Sequence, residues 1–424
     1  MKRHLIGIGG VGMSALATAL VRLGDEVTGA DRTLGTPNIK FLESLGVRVF
    51  PDDGSGVDAS TDEVIVSTAI EESNAGFIKA KELGIPVTHR AKALARTLKD
   101  YKLVAVVGTC GKSTVTAMLG HVLAECGLDP MCVNGANVPG WEGAVRFGKG
   151  EYAVAEVDES DKSLVAFKPY AAIVTNASAD HYSKEEMDEV FDAFVKDCEG
   201  PVVDGRGHLD VLEGLDALEV PVPGAHNRQN AEMAVRMAVA LGVSPNRAIA
   251  AMRTFRGVER RLQLVSSQTS RTSRTFQTSA PAVYDDYAHN PEKLKAMWTT
   301  LAEKHPEGIC VIWRPHGYAP LRKMMDALAT MFVETVRPCD KLLLLPVYDA
   351  GGTTDRSVNS DELAGVIAAR SSSGSSDSSL VELVSDLDAA YNWCTAHKDD
   401  FAAFVTCGAR DPGLPVLAKR LSEM

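Results

Sequence analysis

Gly108-Thr109-Cys110-Gly111-Lys112-Ser113-Thr114 decides how this chain is read. It follows the apolar run Leu103-Val104-Ala105-Val106-Val107 and precedes a helical apolar pattern through Val115, Met118, Leu119 and Val122. Strand, tight loop and helix in that order make a phosphate-binding loop. The backbone N–H groups of Gly108, Thr109, Gly111 and Thr114 and the helix start present fixed positive charge to a polyphosphate, and Lys112 adds a mobile cation. Ser113 can put its hydroxyl on Mg²⁺. Val106 stands where the full Walker pattern has glycine, so the loop is a shortened form; a chance Gly-Lys-Ser turn would lack the flanking strand and helix.

Working outward, the first 98 residues alternate strand and helix. Strands are expected at Leu5 to Ile8, Glu26 to Ala30, Val47 to Phe50, Val64 to Val66 and Ile85 to Val87, with helices between them. That pattern predicts a doubly wound parallel sheet. Gly7-Ile8-Gly9-Gly10-Val11-Gly12 sits at the first strand–helix turn, and Asp31 closes the second strand. Such a turn lets backbone approach a diphosphate, of NAD or of a UDP-sugar, while the acid bonds a ribose or a base. A polar helical connector from Ala91 to Lys102 leads into the second domain. A third region begins near residue 264, with strands expected at Ala282 to Tyr284, Gly308 to Trp313, Lys341 to Pro346 and Phe401 to Thr406. The Ser/Thr-rich stretches Ser266 to Ser279 and Ser371 to Ser379 read as exposed loops. The fold class is therefore α/β in three domains: 1–98 Rossmann-like, 99–263 a P-loop domain with a mostly parallel sheet, and 264–424 Rossmann-like.

A chain of 424 residues with formal charge −12 and 24% charged residues is an average globular composition. The acidic balance argues against nucleic acid and anionic membranes as partners. Eight scattered cysteines with no Cys-x-x-Cys pair argue against a zinc or disulfide framework. No apolar run reaches the roughly 18 residues of a membrane span, and no signal peptide is expected, which places the protein in the cytoplasm.

The phosphate loop has acidic company. Ala153 to Ser160 read as a strand ending in a cluster of Glu156, Asp158, Glu159 and Asp161, where a Mg²⁺ beside phosphates needs oxygen ligands. Ile173-Val174-Thr175-Asn176 is a further strand, followed by Asp180-His181; His181 takes a metal or a phosphate, or is a solvated loop histidine. Ala225-His226-Asn227-Arg228-Gln229-Asn230 opens a helix in which Asn227 or Asn230 reads a purine edge or serves as N-cap. Arg260 and Arg261 supply two cations, or form a solvated basic turn.

This order of motifs resembles the Mur ligase family, ATP-dependent amide-forming enzymes of peptidoglycan precursor synthesis, over nearly the whole chain. The N-terminal Gly-Ile-Gly-Gly-Val-Gly-Met-Ser, Ser67-Thr68-Ala69-Ile70 and Asp158-Glu159-Ser160-Asp161 are most similar to its branch joining L-alanine to UDP-N-acetylmuramate. The family uses the shortened phosphate loop. The resemblance implies a UDP-binding first domain, an ATPase second domain and a third domain that closes over the site. It implies that Lys112 holds the β and γ phosphates of ATP, that Ser113 and Glu156 bind one Mg²⁺, and that His181 binds a second. It assigns His226, Asn227 and Asn230 to the adenine side, Asp286 to the ATP ribose side, Arg261 to the residue after the central domain, and Gly9, Gly10, Gly12, Ser14 and Asp31 to the UDP moiety. The expected partners are UDP-N-acetylmuramate and an amino acid, and the expected state is a monomer or homodimer.

The chain departs from the family in places. Cys110 stands where histidine is usual, and Ser113 where threonine is. In Arg314-Pro315-His316-Gly317-Tyr318-Ala319-Pro320-Leu321-Arg322, Gly317 and Pro320 fall where arginines hold the incoming amino acid and the acyl phosphate; His316 and Arg322 remain, and Arg314 is a candidate substitute. Asn290 stands where a second histidine is common. These departures leave three other readings open: a ligase for a different amine such as a murein tripeptide, a non-catalytic UDP-sugar or ATP binder, and an NAD-dependent oxidoreductase resting on the N-terminal glycines alone.

Overall fold

The computed structural model describes residues 1–158, 163–177, 184–265, 280–349, 355–371 and 380–424. The first sheet holds β1 (Lys2–Ile6), β2 (Glu26–Asp31), β3 (Arg48–Pro51), β4 (Glu63–Val66) and β5 (Val87–His89), all parallel in the order β3-β2-β1-β4-β5. Its helices are α1 (Val11–Arg22), α2 (Pro37–Ser44), α3 (Ala75–Glu82) and α4 (Arg90–Thr97). The last strand begins two residues later than expected because Pro86 has no N–H to give to a ladder. Strand order reverses direction between β1 and β4, so a crevice opens at their carboxyl ends, beside the glycine turn.

The second sheet is built from β6 (Lys102–Val107), β7 (Met131–Val133), β8 (Val145–Arg146), β9 (Tyr152–Glu156), β10 (Ala171–Val174) and β11 (Val202–Asp204) in the order β11-β10-β6-β9-β7-β8, with only the β7–β8 pair antiparallel. Around it lie α5 (Lys112–Glu125), α6 (Lys184–Val195), α7 (Ala225–Ala240) and α8 (Pro245–Met252). Buried Leu16, Leu94, Leu103, Val145 and Phe167 belong to one apolar cluster, so the first two sheets share a core. Arg22 reinforces it with a two-pronged bond to Glu142, at 2.7 and 2.8 Å. The first two sheets form one compact unit, Met1–Val222 with His226–Val258, while Pro223–Ala225 and Glu259–Met424 form another.

The third sheet has β12 (Gln263–Leu264), β13 (Ala282–Asp286), β14 (Ile309–Trp313), β15 (Lys341–Leu344), β16 (Val381–Leu383) and β17 (Ala403–Cys407) in the order β12-β13-β17-β14-β15-β16, parallel except for the β12 edge. Helices α9 (Pro291–Lys304), α10 (Tyr318–Thr335) and α11 (Ser360–Ser371) cover one face; α12 (Leu387–Ala396) and α13 (Gly413–Ser422) cover the other. Asn290 caps α9 by accepting from Lys293 N at 3.0 Å, with Pro291 behind it, so the residue in the second histidine's place starts a helix. The eight cysteines form no disulfide. The stretches 266–279 and 372–379 lie outside the described residues.

Candidate active site

At the carboxyl end of β6 the phosphate loop is held by its neighbour strand. Asn176, just after β10, accepts from Cys110 N at 2.9 Å through Oδ1 and donates to Cys110 O at 2.9 Å through Nδ2. Thr175 Oγ1 donates to the same carbonyl at 2.6 Å, and Thr109 N reaches Asn176 O at 3.2 Å. These contacts press β10's exit against the loop so closely that a Cβ on Gly108 would lie 2.1 Å from Thr175 Oγ1; only glycine fits. Sequence reading named the strand through Asn176 without seeing that it clamps the loop. Lys112 opens α5 and donates Nζ to Gly108 O at 2.7 Å, which curls it over its own loop. Ser113 and Thr114 follow in the first turn, both buried.

Glu156 ends β9, the strand paired with β6 through Val106, so its carboxylate shares the sheet edge with the loop. Its Oε2 accepts from Gly135 N at 2.8 Å. A side chain at 135 would collide with that carboxylate, with its Cβ 2.5 Å from Oε2, so this glycine, unmarked in the sequence, keeps Glu156 in place. Asn230 reaches the loop from α7: its Oδ1 is 2.7 Å from where a Gly111 Cβ would be, and its Nδ2 contacts Asn227 Oδ1 at 3.4 Å. Both asparagines are buried inside α7, which starts at Ala225, so the N-cap alternative is corrected; half-buried His226 sits in the same first turn. His181 lies outside the described residues.

In the first sheet Asp31 serves the glycine turn itself. Its Oδ2 accepts from Gly9 N and its Oδ1 from Thr33 N, each at 2.9 Å, while Asn38 Nδ2 donates to Gly9 O at 2.9 Å. Gly10 N closes the turn on Gly7 O at 3.2 Å. Ser14 Oγ donates back to Val11 O at 2.9 Å inside α1, leaving its lone pairs to accept. The sequence reading missed Arg90, the first residue of α4. Its Nη1 lies 3.1 Å from the position of a Cβ on Gly12, which sets a guanidinium against the start of α1. A basic residue just after β5, at the end of the same sheet, was the available signal.

The third sheet brings Arg260, Asp285, Asp286, His289, Arg314, His316 and Asp411 to the carboxyl ends of β13, β14 and β17. Asp286 accepts from Leu262 N at 2.6 Å and Ala288 N at 2.7 Å, which fixes the turn after β13. Beside it, burial pushes the Asp285 carboxyl up to about 6 despite Arg260 Nε at 3.0 Å. Arg260 is thus tied down, not part of a solvated turn, while Arg261 lies over the Tyr287 ring at 4.7 Å. His316 meets His289 edge to face at 4.8 Å. Arg314 is engaged by Asp411 at 2.6 Å and by Pro346 O at 3.0 Å, which removes it as a ready substitute for the missing arginines. Arg322 pairs with Asp355 at 2.8 Å.

Residues 2–102 match the family model described as Mur ligase family, catalytic domain, and residues 260–410 match that described as Mur ligase, glutamate ligase domain. A UDP-N-acetylmuramate–L-alanine ligase of Paenarthrobacter aurescens is 33% identical, over 88% of this chain and 92% of the relative. One from Sinorhizobium medicae is 29% identical, over 99% and 97%. Among solved structures, the UDP-N-acetylmuramate-alanine ligase MurC of Thermotoga maritima superposes with TM-score 0.79 at 23% identity, over 100% of this chain and 98% of that one. A murein peptide ligase of Psychrobacter arcticus gives 0.64 at 21%, over 99% and 98%. At these identities the structures speak for the fold.

Proposed function

Because the chain belongs to the Mur ligase family, we propose that it uses ATP to join L-alanine to the lactyl carboxylate of UDP-N-acetylmuramate, releasing ADP and phosphate, in peptidoglycan precursor synthesis. The observation that carries this reading is the clamped loop Gly108 to Thr114 with Glu156 fixed at the end of the adjoining strand. ATP phosphorylates the carboxylate, and the amine attacks the acyl phosphate carbonyl as phosphate leaves. No protein nucleophile is needed, so the protein's work is positioning and charge compensation. Lys112 leaves Gly108 O for the β and γ phosphates, and the loop N–H groups cradle them.

Ser113 and Glu156 offer a hydroxyl and a carboxylate, the hard oxygen donors that suit Mg²⁺, and the Gly135 N–H fixes the carboxylate's direction. They would hold one ion and His181 a second; bound there, Mg²⁺ neutralises charge on the transferring phosphoryl group. Asn227, Asn230 and His226 serve the adenine, and Asp286 the ribose side, with Arg261 close in sequence to the end of the central domain. Gly9, Gly10, Gly12, Ser14 and Asp31 form the UDP subsite, to which Arg90 adds a diphosphate cation. Residues 1–98, 99–263 and 264–424 are the UDP-sugar, ATP and closing domains of this reading. Among the described residues no helix is long and apolar enough to cross a membrane. A cytoplasmic monomer or homodimer completes the proposal.

The replaced arginines at Gly317 and Pro320 favour a second reading, in which the amine is a murein tripeptide. A phosphate-release screen with UDP-N-acetylmuramate, ATP, Mg²⁺ and the twenty amino acids plus tripeptide decides between them. L-Alanine-dependent release supports the first reading, preference for tripeptide selects the second, and ATP binding without release for any amine removes both.

A further inference from the structure

The loop after β17, Gly408-Ala409-Arg410-Asp411, carries an exposed arginine at the carboxyl ends of parallel strands, where open α/β sheets bind ligands. The loop is held from both sides. Arg260 donates to Gly408 O and to Ala409 O, the latter at 3.3 Å, and Gly408 N donates to Asp286 O at 3.2 Å. On the far side the buried Asp411 binds Arg314 and accepts from Gly413 N at 2.8 Å. Two arginines, 260 and 314, are thus spent on fixing the backbone on either side of a third. Arg410 itself has no hydrogen bond and no carboxylate partner among the described residues, whereas Arg260, Arg314 and Arg322 each have a carboxylate.

Its guanidinium lies beside the start of α10. Nη1 of Arg410 lies 3.9 Å from where a Cβ on Gly317 would be, at the N-terminal end of α10. No side chain caps that helix end. A side chain at 317 would start between Pro320 and this guanidinium at ordinary van der Waals distance, and an arginine there would bring two like charges into one small space. Gly317 leaves it open.

We propose that Arg410 binds the carboxylate of the amine substrate, supplying from the loop after β17 the guanidinium that residue 317 does not. The amine class that fits is an α-amino acid, or a peptide with a free carboxylate, and an amine without that group loses the contact. This assignment rests on the ligase reading and makes Arg410 a specificity residue for it.

The test is steady-state ADP release by the full chain and by R410Q and R410K, with L-alanine and with L-alaninamide. A charged hydrogen bond of about 1.5 to 3 kcal/mol corresponds to a rise of about 10- to 100-fold in the KM for L-alanine in R410Q. The KM values for ATP and UDP-N-acetylmuramate should stay within about twofold of wild type, and the preference for alanine over alaninamide should collapse. R410K should retain part of it, since a lysine keeps the charge and loses the fork. Wild-type turnover with an unchanged alanine KM and an unchanged acid-to-amide ratio in R410Q overturns the assignment and leaves the ligase reading standing. Wild type that releases no ADP with any amine overturns the ligase reading, and this assignment with it.

Discussion

The loop after β6 and the loops after β13, β14 and β17 are both strand-end sites, yet they are built by different means. The first is one contiguous stretch, and its clamp is neutral: amide and hydroxyl groups of Thr175 and Asn176 on the loop backbone. The second is assembled from residues 260, 285, 314 and 411, far apart in the chain and joined by ion pairs. A neutral clamp costs little desolvation and leaves Lys112 as a mobile cation. A web of arginines and buried carboxylates carries larger desolvation terms, and a guanidinium can be supplied from more than one backbone position. The difference teaches where a site can drift: a contiguous loop can change only in place, while an assembled rim can take a guanidinium from another backbone position.

Lys112→Ala tests the first half of the comparison most severely. ADP release should fall by a factor of at least about 10³, since a full charge on the transferring phosphoryl group is lost; residual activity within tenfold of wild type would remove the loop from the mechanism. Asn176→Ala deletes two hydrogen bonds on Cys110, each worth about 1 kcal/mol, so the KM for ATP should rise about 10- to 30-fold with that for the amine unchanged. If the amine KM rises equally, the two sites are not separable. Arg314→Gln frees Asp411 and should raise the amine KM about three- to tenfold, leaving ATP alone.

The smallest effect separates the regions by pH. The Asp285 carboxyl, raised by burial to about 6, holds a proton in the folded chain that the unfolded chain gives up near its ordinary value. Its contribution to stability is therefore full below about pH 4 and lost as pH rises through 6. Urea unfolding of wild type should lose on the order of 1 kcal/mol more than Asp285→Asn between pH 4 and 6.5. Parallel pH profiles for the two proteins would show that Asp285 is ionised throughout.

The α/β class, the parallel sheets and the phosphate loop were legible because a strand–turn–helix leaves its signature within a few consecutive residues. Short strands such as β7, β11 and β16 were not, since three residues carry no periodicity. Glu156 was readable as a carboxylate ending an apolar strand. Its support, the Gly135 N–H, was not, because a backbone donor in the loop after another strand has no sequence mark. Gly317 and Pro320 showed that a charge was missing, but the nearness of Arg410, 93 positions after Gly317 (410 − 317), exists only once β14 and β17 lie side by side.

The shared core of the first two sheets bears on how the chain breaks down. Leu94 and Phe167 are each buried by about 1.5 to 3 kcal/mol of apolar contact in a cluster that spans both sheets, so neither sheet can melt without exposing the other's interior. The halves proposed to bind UDP-sugar and ATP are in that sense a single cooperative folding block, and on that reading a destabilising change in either is felt by both substrates at once.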